Sequence, residues 1–313
     1  MKPWLLARAF AFVTRYDGGS RFRAVARVTP ERYGAAMTAP HQPQARMRIT
    51  AVVNQKGGVG KTTTTINLGG ALAEMGARVL LVDLDPQGHL SDALKLPEAG
   101  APAPLGAALL GALPDDPGRI VLPHSITDTG GVVDVVPTAF DMLQVTEQLY
   151  QVKAREQRLS RLLARLADRY DHCLIDCPPS LDLLTVNALE ASDGAVIPVQ
   201  LEDSSVKAMR LLLAEVEAVD LDLRPGRPLT LHGMVVSMLE RGAEGKPKTV
   251  IARSVLASFK QLEAEGLPIL AQVPRGIPIS EAWRFGQTVS AYAPNSEHAA
   301  AFRDVAKVVD AAR

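Results

Sequence analysis

From Met47 onward, apolar runs of strand length alternate with segments whose apolar positions recur at helical spacing. Residues 49–53 form a short β-prone run. The stretch after it places Ile66, Leu72 and Met75 on related helix faces and stops at Gly76, a residue suited to the left-handed turn that closes a helix. The run 78–82 is apolar nearly throughout, as a strand buried on both faces of a parallel sheet must be. The same reasoning predicts strands at 131–136, 173–176, 194–199, 231–238 and 269–273, with helices at 142–169, 182–191, 205–219, 249–264 and 296–311. This alternation implies an α/β fold with a doubly wound, mostly parallel sheet. Residues 97–123, rich in Pro and Ala, read as a surface insertion with one short helix near 105–113.

Composition narrows the class of protein. With 34 Lys+Arg against 34 Asp+Glu and 47% hydrophobic residues, the 313-residue chain has the balance of a globular protein able to bury a core. No run approaches the roughly 18 uninterrupted apolar residues of a membrane span. Two cysteines cannot build a disulfide framework, which favours a reducing compartment. The zero net charge conceals an asymmetry. Residues 1–46 carry eight basic and two acidic side chains, so the remainder is net acidic by six. Three readings of this basic arm stand: a disordered extension, a short surface or partner helix, and sequence upstream of a true start at Met37 or Met47. The division expected is an N-terminal extension over 1–46 and one domain over 47–313.

The candidate chemistry begins at Asn54-Gln55-Lys56-Gly57-Gly58-Val59-Gly60-Lys61-Thr62-Thr63, between a strand and a helix. Glycines let the backbone curl so that several N–H groups face one phosphate, and the helix N-terminus adds partial positive charge. In such a loop Lys61 reaches the β- and γ-phosphates and the Thr62 hydroxyl ligates Mg²⁺. Gln55 occupies a position where the strict pattern has glycine. Val79-Leu80-Leu81-Val82-Asp83-Leu84-Asp85 ends an apolar strand in two acids, and Cys173-Leu174-Ile175-Asp176 ends another in one. Carboxylates at strand C-termini sit where open parallel sheets place their ligands. Cys173 and Cys177 lack the third and fourth ligands of a metal site, so they are read as core.

Lys56-Gly57-Gly58-Val59-Gly60-Lys61-Thr62 resembles the deviant Walker A motif of the ParA/MinD group of P-loop ATPases, and Asp85-Pro86-Gln87-Gly88 is similar to the ParA/Soj branch. The resemblance implies that Lys56 reaches across a nucleotide-sandwich homodimer to the partner's ATP, as an arginine finger does in trans. It further implies that Asp85 orients the attacking water, that Asp176 holds a Mg²⁺-bound water and that Pro178-Pro179 opens a nucleotide-sensing switch. Segments 180–189 and 196–200 continue the likeness. Residues 273–282 are similar to a late loop packed on adenine, which implies base contacts at Pro274 and Gly276. Departures exist as well. His89-Leu90-Ser91 replaces Asn-Ala-Thr and is assigned no role, Asp182 replaces a glycine, and residues 202–205 replace a stretch often aromatic. Pro278 stands where many relatives carry a basic residue.

By the same resemblance, the ATP dimer binds DNA without sequence preference. Arg241, Lys246, Lys248 and Arg275 are the lead contacts, with Arg253, Lys260 and Arg284 behind them. The expected function is partition of a chromosome or plasmid by a slow ATPase stimulated by a ParB-like partner, cytoplasmic and nucleoid-associated, with ATP and Mg²⁺ as cofactors and no membrane binding. The alternatives are a relative that positions another cargo and an ATP-dependent biosynthetic enzyme of the same fold.

Overall fold

The computed structural model describes residues 46–97, 101, 104–124, 131–138, 142–242 and 245–312. Of the expected N-terminal extension, all but Arg46 therefore lies outside the described residues. Eight strands form one sheet: β1 (Arg48–Val52), β2 (Arg78–Asp83), β3 (Leu122–His124), β4 (Val132–Val136), β5 (His172–Asp176), β6 (Gly194–Val199), β7 (Thr230–Leu239) and β8 (Ile269–Pro274). Their order is β3-β4-β2-β5-β1-β6-β7-β8. Every neighbouring pair is parallel except β3 with β4. All residues of β5 and β6 are buried, which is why β6 and the interior of β5, residues 173–175, are apolar without alternation.

Helices cover both faces. One core layer packs α1 (Lys61–Glu74) and α11 (Glu297–Ala311) on the sheet through Leu68, Leu72, Leu81, Leu174, Phe302 and Val305. The other joins Leu80, Cys173, Ile175 and Ile197 to helices that include α4 (Met142–Leu149), α5 (Arg158–Ala164), α6 (Leu183–Ala191), α7 (Asp203–Asp222) and α8 (Val250–Ala264). Cys173 and Cys177 are free thiols buried in this second layer, as the core reading expects. The remaining helices are short: α2 (His89–Ala93), α3 (Leu105–Leu110), α9 (Ile277–Arg284) and α10 (Val289–Tyr292).

Two elements differ from the sequence-based expectation. The single helix expected over 142–169 is broken, with Ala154 in the left-handed region (φ 50°) and a 3-10 turn at Arg155–Gln157 before α5. Buried Asn187 on α6 explains the restart. Its Oδ1 accepts the backbone N–H groups of Arg158 and Leu159, each at 3.1 Å, and its Nδ2 donates to the carbonyl of Arg155 at 2.8 Å. A side chain from another helix thus caps α5, satisfying N–H groups that a helix start leaves unpaired. At the end of the surface insertion expected over 97–123, Leu122–His124 adds an antiparallel edge strand, the position at which a sheet tolerates Pro123.

Candidate active site

Strand register places the reactive groups level with one another. Val52 on β1 and Asp83 on β2 both pair with Asp176 on β5, so the phosphate loop leaves β1 beside two carboxylates that close the neighbouring strands. The loop then turns through Gly58 (φ 72°) and Gly60 (φ 87°) into α1. Both angles lie in the left-handed region that favours glycine. Its shape is also held from outside. Ser237 Oγ donates to the carbonyl of Val59 at 2.5 Å, and Gln200 Nε2 donates to that of Gly58 at 2.9 Å. Asn54 Oδ1 accepts the Lys56 N–H at 2.9 Å while its Nδ2 donates to the Pro198 carbonyl at 2.7 Å.

Lys61, only 7% exposed, directs Nζ back to the Lys56 carbonyl at 3.2 Å. Burial lowers its pKa, an effect opposed by the charge of Asp176. The Thr62 hydroxyl donates to Asp176 Oδ2 at 2.7 Å, and Thr65 Oγ1 reaches Oδ1 at 3.3 Å. Burial, followed by the neighbouring Asp83, pushes the Asp176 carboxyl up to about 8. Asp83 is raised to about 6, again chiefly by burial. Its Oδ2 accepts both the N–H and the hydroxyl of Ser91, at 2.9 and 2.6 Å, whereas its Oδ1 is buried without a hydrogen-bond partner. Ser91 therefore has a role the sequence did not assign it: it fixes one oxygen of Asp83. Asp85, also nearly buried, accepts the Gln87 N–H at 2.9 Å.

The structure thus brings Lys61, Thr62, Asp83 and Asp176 together in space, with Asp85 at the end of the same strand unit. Pro179 lies against the loop, its Cβ 3.9 Å from where a Cβ on Gly57 would stand. Asp182 caps α6 by accepting the N–H groups of Leu184 and Thr185, at 3.0 and 3.4 Å, which accounts for an acid where glycine was expected. Lys56 forms an ion pair with Glu202, the residue preceding α7. Asn54, although part of the loop motif, was assigned no role from sequence, and neither were Glu202, Ser237 and Gln200, none of which belongs to a contiguous motif with the loop it touches.

Pro274 ends β8 and Gly276 follows it at the same end of the sheet, and Arg275 N–H donates to Leu239 O at 3.0 Å. Arg241, Lys246, Lys248 and Arg275 converge there, since Gly242 bonds to Lys246 and Lys248 to Glu240 through the backbone. Acids hold Arg241, Lys248 and Arg275. Arg241 pairs with Glu297 at 2.8 Å, and Glu240 pairs with Arg275 at 3.0 Å and with Lys248 at 3.9 Å. No group of three or more His, Cys, Asp or Glu able to hold a metal occurs among the described residues. The oxygen donors at Thr62 and Asp176 instead suit Mg²⁺, which completes its coordination with water and substrate phosphate.

A parallel strand, a glycine-built turn, a buried lysine at the start of a helix and a hydroxyl bonded to the aspartate of a central strand define a P-loop nucleoside triphosphatase. Residues 47–226 match the family described as AAA domain. The sporulation initiation inhibitor protein Soj of Bacillus subtilis is 37% identical over 84% of this chain and 98% of its own length. The chromosome partitioning protein ParA of Caulobacter vibrioides is 38% identical over 79% of this chain and 87% of its own. The chain belongs to the ParA/Soj family of partitioning ATPases. Among solved structures, cobyrinic acid a,c-diamide synthase of Mycobacterium smegmatis, with bound ADP and magnesium, superposes with a TM-score of 0.66 at 32% identity, covering 83% of this chain and 93% of that one. The septum site-determining protein MinD of Pyrococcus horikoshii, complexed with Mg-ADP, gives 0.65 at 27% identity, covering 85% and 96%. Among the described residues no helix is long and apolar enough to cross a membrane.

Proposed function

We propose that this chain hydrolyses ATP as a homodimer that binds DNA without sequence preference, associates with the nucleoid and is stimulated by a ParB-like partner to move a chromosome or plasmid. Residues 47–313 form the ATPase unit in this reading, and 1–46 an extension to it. The observation that carries it is the opposite placement of two lysines on one loop. Lys61 is buried against its own loop, whereas Lys56 is turned away to the surface carboxylate of Glu202. A second lysine not committed to its own phosphate turn is what charge donation to another copy requires.

The N–H groups of residues 57–61 and the Lys61 ammonium bind the ATP phosphates, with Val59 and Thr63 lining the turn. Thr62 would hold Mg²⁺ directly and Asp176 would hold it through water. The ion, when bound, supplies positive charge to the β- and γ-phosphate oxygens. Asp85 orients the attacking water, and the second copy's Lys56 adds charge where the transferring phosphoryl group is anionic. Pro274 and Gly276 contact the base. Arg241, Lys246, Lys248 and Arg275 meet DNA phosphates, a contact that needs no sequence information and weakens steeply with salt.

The test is an ATPase and DNA-retention assay with ATP or ADP, with and without duplex DNA and the ParB-like product of a neighbouring gene. The reading expects retention with ATP alone and turnover raised by both additions. Equal, negligible retention with the two nucleotides at low salt would overturn it. The likeness to the Mycobacterium smegmatis synthase favours a second reading, an ATP-dependent biosynthetic enzyme. Turnover that depends on an added metabolite and ignores DNA would select that one.

A further inference from the structure

We infer that His298 is the positioning residue for the base-contacting loop and sets the discrimination between adenine and other bases. The inference rests on the reading that Pro274 and Gly276 touch the base.

His298 lies in the first turn of α11, 5% exposed, far from the phosphate loop in sequence. Its Nε2 is 3.2 Å from the carbonyl oxygen of Pro274. A carbonyl only accepts, so Nε2 carries a hydrogen and donates it. Nδ1 is buried with no hydrogen-bond partner, so the ring is held in place by this one polar contact and by packing. The packing falls on Gly276. A Cβ there would stand 2.5 Å from Nε2 and 2.6 Å from Cε1 of the ring. The Gly276 backbone is extended (φ −164°), so left-handed geometry does not demand glycine at this position; the imidazole does.

One ring therefore fixes both residues assigned to the base, by a hydrogen bond to the first and by steric contact with the second. The scaffold behind it is firm. Ser296 caps α11 by accepting the Ala299 N–H at 3.2 Å, and Phe302, one turn further on, is buried in the core. Removing the imidazole frees the Pro274 carbonyl and opens space beside Gly276, so the loop loses the one position in which it complements the base. The phosphate end of the site contains no part of this contact.

The test measures calorimetric affinities of the full chain for ATP, GTP and tripolyphosphate in the presence of Mg²⁺. Five forms are compared: wild type, His298→Ala, His298→Gln, Gly276→Ala and the combination of Gly276→Ala with His298→Ala. In His298→Ala the affinity for ATP falls about tenfold, as expected for loss of one buried hydrogen bond with its packing, and the ATP-to-GTP ratio shrinks. Tripolyphosphate binds unchanged. His298→Gln, which can present an N–H near the same point, recovers most of the ratio. Gly276→Ala shrinks it too, and combining it with His298→Ala brings little further loss, because both substitutions act through the same contact.

If Gly276→Ala alters the ratio and His298→Ala does not, the loop reads the base but His298 does not position it. An unchanged ratio in both variants removes the base-contact reading and this inference with it. Equal losses of ATP and tripolyphosphate in His298→Ala would show a general loosening of the fold, and would overturn the positioning role.

Discussion

The ammonium of Lys56 is ion-paired with the carboxylate of Glu202, joining the phosphate loop to the start of α7 within a single chain. A lysine that must reach a second copy's nucleotide has to leave this partner first. Glu202→Gln should therefore raise ATP-dependent dimerisation two- to fivefold, the scale of an exposed ion pair. Sedimentation equilibrium with ATP measures it. The same substitution in a Lys56→Ala background should change nothing, and an effect that survives there would exclude competition for Lys56 as the cause.

Lys56→Ala should lower turnover by roughly a hundredfold or more, in keeping with the loss of a charge supplied in trans. ATP affinity of the monomer should stay within about threefold, because Lys61 and the loop N–H groups remain. Steady-state hydrolysis and calorimetry, run on the same preparation, separate the two. Equal losses in both would mean that Lys56 serves its own site.

The acids that hold the basic cluster predict its behaviour toward DNA. Glu240→Gln releases Arg275 and Lys248 together, so DNA affinity at low salt should rise about three- to tenfold. The slope of log affinity against log salt should steepen by up to roughly 0.9 for each added phosphate contact. Fluorescence anisotropy with a random-sequence duplex reads both quantities. With Arg275→Ala and Lys248→Ala already present, Glu240→Gln should have little further effect.

Asn187 is a stability determinant distant from the chemistry. Asn187→Ala leaves two helix-start N–H groups and the Arg155 carbonyl without their buried partner. The expected loss is about 2–4 kcal/mol in urea unfolding. Nucleotide affinity at low denaturant should be retained, since the phosphate loop does not touch α5.

His232 makes part of the stability acid-sensitive. Burial, reinforced by the nearby Arg48 charge and opposed by Asp193, lowers its pKa from 6.5 to about 4. The unfolded chain therefore takes up this proton before the folded one. The contribution is intact above pH 6.5 and is lost progressively as pH falls toward 4, with a total on the order of 3 kcal/mol. Comparing wild type with His232→Gln across that range isolates this one site. An identical pH dependence in the two would refute the assignment.

The parts of the fold and site legible in the sequence are those encoded by neighbours along the chain. The 54–63 loop, the acids that end β2 and β5, and the apolar strands all declare themselves within ten residues. What stayed hidden depends on contacts between distant segments. Asn187 restarts a helix that begins 29 residues before it, and no local pattern distinguishes it from any other polar residue on α6. Ser91 looked expendable as part of a departure from the family pattern, yet it is the residue that holds Asp83. Glu202 and Glu240 could be seen as charges but not as partners, because pairing is a property of the folded surface.

The three-residue strand β3 has a further consequence. It closes one side of the sheet with a short segment that contains Pro123, a residue with no N–H to offer another strand. The opposite side ends in the six-residue strand β8. Any association through strand pairing is thereby directed to β8, and two copies joined there would bury the receptive side of each. Such a contact is self-limiting: it yields a closed pair with β3 at both outer margins, and the described residues offer no second matching side from which a fibre could grow.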